Sequence, residues 1–374
     1  MKALYGLLLV PNIVFGSNAV SIFEVTTDSD GFDGYRALIG YEHVTKEWRA
    51  GILQGLYYIS DNNGDATFHE TRGIYKYTVD SRTSVQGFVS ALYTKDTHYT
   101  DTIGGNTYLN ESWTTPIGSI SLATRPTDNT YVEAGWEHNI IDTSIAVGNH
   151  IFTDTISVSG DYSITNEWTI VGSLAYQHFN LGDLNKHADE IAVDNGYMDG
   201  TDAFEDYGIE WNQNLKGSKN IEIFKFIYTP DEVPGLVLQA KAKWFQSDFN
   251  FKPGFLNKHH DGYDQFRRGV FWAPDKYQRY MLVAGYSRSF YNDNFVWSAS
   301  YGYGIQKVND HYGVGVDKVT YDETHRAEEI ILKLRGAITP ELYITSYYKQ
   351  DTDAGKGQPA YRWEEIGVHL EYSF

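Results

Sequence analysis

The chain closes on "EIGVHLEYSF" (Glu365–Phe374). Ile366, Val368, Leu370, Tyr372 and Phe374 alternate with Glu365, Gly367, His369, Glu371 and Ser373. A period of two places the first set on one face of a β-strand and the second on the other. One face suits an apolar medium and the other suits water.

The same alternation runs back through the chain. It recurs in "ELYITSYYK" (341–349), "EIILKLRGAI" (329–338), "FVWSASYGYGIQ" (295–306), "LVLQAKAKW" (236–244), "TISVSGDYSI" (155–164) and "YVEAGWEH" (131–138). A sandwich also alternates, so the composition of each face has to decide. The polar face carries Ser, Gly, Lys, Glu and Gln, while Trp or Tyr often caps the ends of the apolar face. An apolar band flanked by aromatics is the outward face of a membrane-spanning barrel.

Composition agrees. The 374 residues include 30 Tyr, 19 Phe and 9 Trp, yet mean hydropathy is only −0.43. Tyr and Trp suit places where one end of the ring is dry and the other wet. A formal charge of −19 argues against nucleic acid as a partner. With no cysteine, disulfides, thiolate metal sites and cysteine nucleophiles are excluded.

"MKALYGLLLVPNIVFGSNA" (1–19) reads as a secretory signal: Lys2, an apolar run from Ala3 to Phe15, and the small residues Ser17 and Ala19 before a cut after Ala19. Past it no run of about 18 apolar residues occurs, so helical membrane spans are excluded. Residues 20–374 then form a single domain.

Short reversals recur at 44–48, 79–83, 125–129, 164–168, 229–235, 291–294 and 338–342. Three share one pattern: Thr45-Lys46-Glu47-Trp48, Thr165-Asn166-Glu167-Trp168 and Thr339-Pro340-Glu341-Leu342. Longer polar segments lie between them, at 61–67, 97–112, 141–153, 181–215, 249–276, 308–324 and 353–358. Short turns at one end and long loops at the other describe an outer-membrane barrel. The expected fold is all-β: an antiparallel transmembrane β-barrel of about 16 strands, with 14 to 18 allowed. Sixteen requires an opening strand near Val20–Thr27, and eighteen requires 206–214 to pair.

With alternating strands, aromatic flanks and a terminal Tyr372-Ser373-Phe374, the chain resembles Gram-negative outer-membrane β-barrel porins. Its last strand is similar to that of small monomeric porins such as outer membrane protein G and the oligogalacturonate- and cyclodextrin-specific channels. The resemblance implies a location in the cell outer membrane, contact with its lipid and lipopolysaccharide, and a monomer or trimer. It also implies that Phe374, with Tyr372, is the signal read by the barrel-assembly machinery.

Opposite parity then faces the lumen. The candidate pore-lining cations are Arg36, Lys76, Arg125, Lys225, Lys241, Lys243, Lys333, Arg335 and Lys349, and the candidate acids are Glu133, Glu137 and Asp161. Arg72 and Arg279, and the acids Glu42, Glu365 and Glu371, share that parity. The cations cluster on two hairpins and the acids on adjacent strands, so a cationic wall is expected to face an anionic one. Fixed charge on a pore wall sets selectivity. Tyr131, Phe245, Tyr343 and Tyr347 are candidate platforms for sugar rings.

Other signals are weaker. Asp61, Asn63 and Asp65 start a calcium-loop spacing, but Gly is missing at its sixth position and Arg72 stands where Glu is needed. The acidic stretch 187–206 and His259-His260-Asp261 read better as loops. No serine–histidine or acid–histidine spacing stands out. The expected function is passive diffusion of small hydrophilic solutes, ions and oligosaccharides, with anionic ones favoured and no cofactor or metal. The alternatives are a barrel enzyme of lipase or protease type and a surface-binding barrel.

Overall fold

In the computed structural model, the described residues are 17–29, 31, 33–60, 64–100, 107–109, 113–140, 152–180, 216–249, 276–312, 319–354 and 361–373. They form seventeen strands and no helix. In chain order these are β1 (Ser17–Asp28), β2 (Asp33–Val44), β3 (Trp48–Ser60), β4 (Gly64–Thr78), β5 (Thr83–Thr100), β6 (Thr107–Leu109), β7 (Trp113–Thr127), β8 (Thr130–Ile140) and β9 (Phe152–Ser163). There follow β10 (Trp168–Asn180), β11 (Lys216–Tyr228), β12 (Leu236–Phe249), β13 (Lys276–Phe290), β14 (Phe295–Tyr312), β15 (Val319–Ala337), β16 (Leu342–Ala354) and β17 (Tyr361–Ser373).

Every stave pairs antiparallel with its sequence neighbour, and β17 returns to β1 with Asn18 opposite Ser373 and Asp28 opposite Trp363. Closure removes both sheet edges. β6 pairs only with the tip of β5, at His98–Leu109 to Thr100–Thr107, while β5 continues the wall through β7. The wall therefore has 16 staves, and the segment near Val20–Thr27 is one of them. The segment 206–214 lies outside the described residues.

The three similar reversals share a mechanism. Thr45 Oγ1 accepts from the N–H groups of Glu47 (3.3 Å) and Trp48 (2.9 Å). Thr165 does the same for Glu167 and Trp168, and Thr339 for Glu341 and Leu342. A threonine hydroxyl thus satisfies turn donors that no strand can reach. In the β4–β5 reversal the Arg82 N–H donates to Asp80 at 2.7 Å, which holds that carboxyl below its ordinary range. The β13–β14 turn places Tyr291, Asn292 and Asp293 at φ of 56°, 55° and 63°. The β11–β12 turn depends on Gly235 at φ 91°.

At the other end several loops are shorter than the composition suggests. β4 already begins at Gly64, β5 extends to Thr100, β9 begins at Phe152, and β14 and β15 reach Tyr312 and Val319. Once a stave rises past the apolar layer its outer face turns polar. The alternation that marks a strand is then lost although the backbone ladder continues.

The outer face is apolar and ringed by aromatics. Ile52, Leu56, Ile156, Leu174, Leu282 and Ile366 project outward and are exposed. At the turn end, Trp168 stacks on Phe226 and Tyr228 at 4.8 and 4.3 Å, and Trp48 meets Tyr77 at 4.5 Å. Towards the loop end, Trp244 Nε1 donates to Tyr280 Oη at 2.9 Å. From Trp168 to Tyr176 on β10 is eight residues, or about 20 Å along the axis for a stave tilted by ~40°. That approaches the ~25 Å apolar band of outer-membrane barrels.

The inner face departs from expectation. Leu38, Leu53, Ile59, Phe68, Leu92 and Ile117 have inward parity and are at most 4 % exposed. Tyr57, Ile59, Ala66, Phe68, Leu92 and Ile117 form one cluster and Val20, Leu38 and Leu53 another. The inner wall of β1–β7 is therefore partly dry. Segments such as "LYYIS" (56–60) put apolar side chains on both faces, and one of them has to point inward.

Candidate functional site

The structure places Arg36, Lys76, Arg125, Glu133, Glu137, Asp161, Lys225, Lys241, Lys243, Lys333, Arg335 and Lys349 on the inner face. They occupy three sectors with different chemistry.

The first sector is the arc β11–β16. Lys219 and Lys225 project inward from β11, Lys241 and Lys243 from β12, Arg279 from β13, and Lys333 and Arg335 from β15. Two contacts cross several staves. Lys241 Nζ reaches Glu329 on β15 at 2.6 Å, and Arg279 makes a two-pronged pair with Asp351 on β16 at 2.6 and 2.8 Å. These side chains pass over a low floor, because Gly302 of β14 and Ala327 of β15 lie beneath them. A Cβ at position 302 would come within 2.9 Å of Met281 Cε and 3.0 Å of Val283 Cγ2.

Glu329 and Asp351 are therefore engaged, as is Glu365, which pairs with Lys349 at 3.1 Å. Lys219, Lys225 and Lys243 have no carboxylate within ion-pair distance among the described residues. Lys219 Nζ instead lies 3.9 Å from the Phe245 ring centroid, and Lys243 Nζ lies 6.0 Å from that of Tyr277. Among the described residues, the inner face of the arc holds more lysine and arginine side chains than carboxylates.

The second sector spans the closure, β16–β17–β1–β5, and is self-neutralising. Glu70 is 1 % exposed, and Arg36 (3.1 Å), Arg72 (2.6 Å) and the Ser90 hydroxyl (2.8 Å) surround its carboxylate. Arg36 also pairs with Glu24 at 3.4 Å, and Glu24 meets His369 Nε2 at 3.4 Å. Lower down, Arg49 bridges Glu42 (2.7 Å) and Glu371 (3.2 Å). Arg36 is thus consumed within the wall.

The third sector, β7–β9, is acidic. Tyr131 Oη donates to Glu133 at 2.7 Å, and Asn139 Nδ2 donates to Glu137 at 3.1 Å. Arg125 lies 5.6 Å from the Tyr131 ring centroid. A cavity of about 610 Å³ joins Glu133 and Glu137 to Arg49, Arg72 and Lys76. The expected picture of two opposed walls is therefore too simple, because these acids share a chamber with cations of β3 and β4.

The candidate sugar platforms also differ among themselves. Phe245 is 4 % exposed and stacks on Tyr277 at 4.4 Å, so it fills the wall. Tyr347 donates to Glu365, and Tyr131 is engaged with Glu133. Tyr343 is 42 % exposed.

Sequence reasoning missed Glu24, Arg49, Glu70, Lys219, Glu329 and Asp351. Parity would have found most of them, since Glu70 shares a face with Arg72 and Asp351 with Lys349. Polar surroundings near the loops hid it for Glu70 and Asp351, whereas Arg49 stands at the turn end beside Trp48.

On the outer face near the loop end, His138 Nδ1 lies 2.9 Å from Asp154 Oδ1 between Trp136 and Phe152. Among the described residues no hydroxyl is hydrogen-bonded to this histidine, and no group of three or more His, Asp or Glu side chains is arranged to hold a metal. Asp65 is the second residue of strand β4, whereas Asp61, Asn63, residues 187–206, residues 259–261 and Phe374 lie outside the described residues.

No protein-family profile matches the sequence, and comparison with curated proteins finds no match. Solved structures do match. A bacterial polysaccharide outer membrane secretin aligns over 97 % of this chain and 100 % of its own, with a TM-score of 0.57 at 8 % identity. The CymD monoaromatic hydrocarbon channel aligns over 97 % of this chain and 89 % of its own, with a TM-score of 0.44 at 10 % identity. The outer membrane protein opdK from Pseudomonas aeruginosa covers 96 % and 98 %, with a TM-score of 0.38 at 7 % identity. Identities this low reach the fold and stop there: a closed 16-stave antiparallel barrel of the outer-membrane kind.

Proposed function

We propose that the protein is a passive diffusion channel of the Gram-negative outer membrane, admitting small hydrophilic solutes and favouring anions, carboxylated oligosaccharides among them. The supporting observation is the arc β11–β16, where, among the described residues, Lys219, Lys225 and Lys243 have no acidic partner while Glu329 and Asp351 are already paired. Uncompensated lumen charge concentrates counter-ions and orients anionic solutes. Arg and Lys pair readily with carboxylates, and Tyr343 offers one ring face to a sugar.

Orientation follows from the ends of the wall. The turns face the periplasm and the loop end faces outside, with the aromatic rings at the two interfaces of a lipid and lipopolysaccharide bilayer. Tyr372 projects outward at the turn end, in register with Leu342 and Ala19, where it serves the assembly machinery together with Phe374. The channel works as a monomer or within a trimer. Its mechanism is steric sieving between charged walls and requires no cofactor. It makes and breaks no bonds, and His138–Asp154 has no nucleophile attached to it among the described residues.

Liposome swelling tests the reading. Reconstituted vesicles should swell in small uncharged sugars and faster in a carboxylated sugar of equal size. Vesicles that stay shut to both, with the barrel folded, would defeat it.

A further inference from the structure

The first residues of β1 belong to the wall. Ser17 lies opposite His43, Asn18 lies between Glu42 and Ser373, and Ala19 lies between Tyr41 and Tyr372. Ser17 is 1 % exposed and Asn18 is 8 % exposed. Asn18 Nδ2 donates to Glu371 Oε1 at 2.6 Å, and the other oxygen of that carboxylate takes Arg49, which also holds Glu42. One network therefore ties β17, β1, β2 and β3 together at the turn end, where the barrel closes on itself.

A leader cut after Ala19 would remove Ser17, Asn18 and Ala19 from this closure. The last two residues of β17 would lose their β1 partners, and Glu371 would keep only Arg49. A second site stands three bonds earlier, with the small Gly16 next to the bond and the uncharged Val14 two residues before it. We infer that the export leader is removed between Gly16 and Ser17, so that Ser17-Asn18-Ala19 remains in the mature chain as the latch of the barrel seam. The proposal rests on strand pairing and the Asn18–Glu371 contact at the closure and stands whether or not the lumen conducts.

The test is the N-terminus of the protein extracted from outer membranes, read by intact mass and terminal sequencing. Two variants accompany the wild type. Gly16→Leu removes the small residue from the proposed site, and Ala19→Leu removes it from the later one while suiting an outward, lipid-facing position. The expected result is a wild-type chain beginning at Ser17, normal maturation of A19L, and accumulation of the precursor in G16L. A chain beginning at Val20, precursor accumulating in A19L, or a retained Met1 would each overturn the inference. Asn18→Ala adds a readout of the latch itself. It should mature normally but lose its folded, heat-resistant gel mobility at a lower temperature, and an unchanged temperature would deny the latch role.

Discussion

Reversing the charge of Lys225 gives the sharpest consequence of the lumen chemistry. Lys225 projects from β11 with no carboxylate partner among the described residues, and its neighbours on that face include Lys241. A permeating ion passing about 6 Å from the ammonium feels roughly 0.7 kcal/mol in water. At 0.1 M salt, with a Debye length of about 10 Å, a little over half of that survives. Lys225→Glu turns attraction for anions into repulsion, a swing of roughly 0.8 kcal/mol, or about fourfold in anion occupancy. Cations gain by a similar factor, so the anion-to-cation permeability ratio should fall about tenfold. The assay is the reversal potential of single channels under a salt gradient. Near 1 M salt, where the Debye length is about 3 Å, most of the effect should vanish. A folded K225E channel whose reversal potential matches wild type at low salt would refute the placement of uncompensated charge on this arc.

Other consequences follow from particular contacts. Glu329→Gln should move selectivity in the opposite direction, towards anions, because it releases Lys241 from its 2.6 Å pair; the same reversal-potential measurement reads it. Glu70→Ala should cost about 3–5 kcal/mol in denaturant unfolding from lipid vesicles, since it takes the fully buried carboxylate from Arg72 and removes one of the acids that hold Arg36. Gly235→Ala should lower the unfolding temperature: φ is +91°, and an added Cβ would stand 2.0 Å from the Ser287 carbonyl oxygen. The backbone strain alone is worth about 1–3 kcal/mol. Thr165→Val should cost about 1 kcal/mol by removing the hydroxyl that caps its turn, while Thr165→Ser should be close to neutral; equilibrium unfolding compares the two.

Much of this architecture was legible in the sequence, and for a physical reason. A stave with lipid outside and water inside must alternate, so Ile366, Val368, Leu370 and Tyr372 announce both strand and face. The Thr-x-Glu-Trp reversals were legible because the hydroxyl needs donors two and three residues on. Legibility fails where one face stops being constrained. Above the aromatic ring, β4, β5 and β14 continue as strands, but their outer residues turn polar and read as loop. On the inner wall of β1–β7, Leu53 and Phe68 pack against neighbours instead of facing water, which no period-two pattern reveals. Parity assigns these charges to one face of the wall, but pairing is beyond it. Arg279 reaches Asp351 across two intervening staves, and only the register and the small residues at 302 and 327 make that contact possible.

The central claim is that the 16-stave wall encloses a conducting, anion-favouring lumen. Insertion of the purified, folded protein into a planar lipid bilayer tests it most directly. Discrete conductance steps, with a reversal potential on the anion side under a low-salt gradient, are the predicted result. A bilayer that remains electrically silent while gel mobility and circular dichroism report a folded barrel would contradict it.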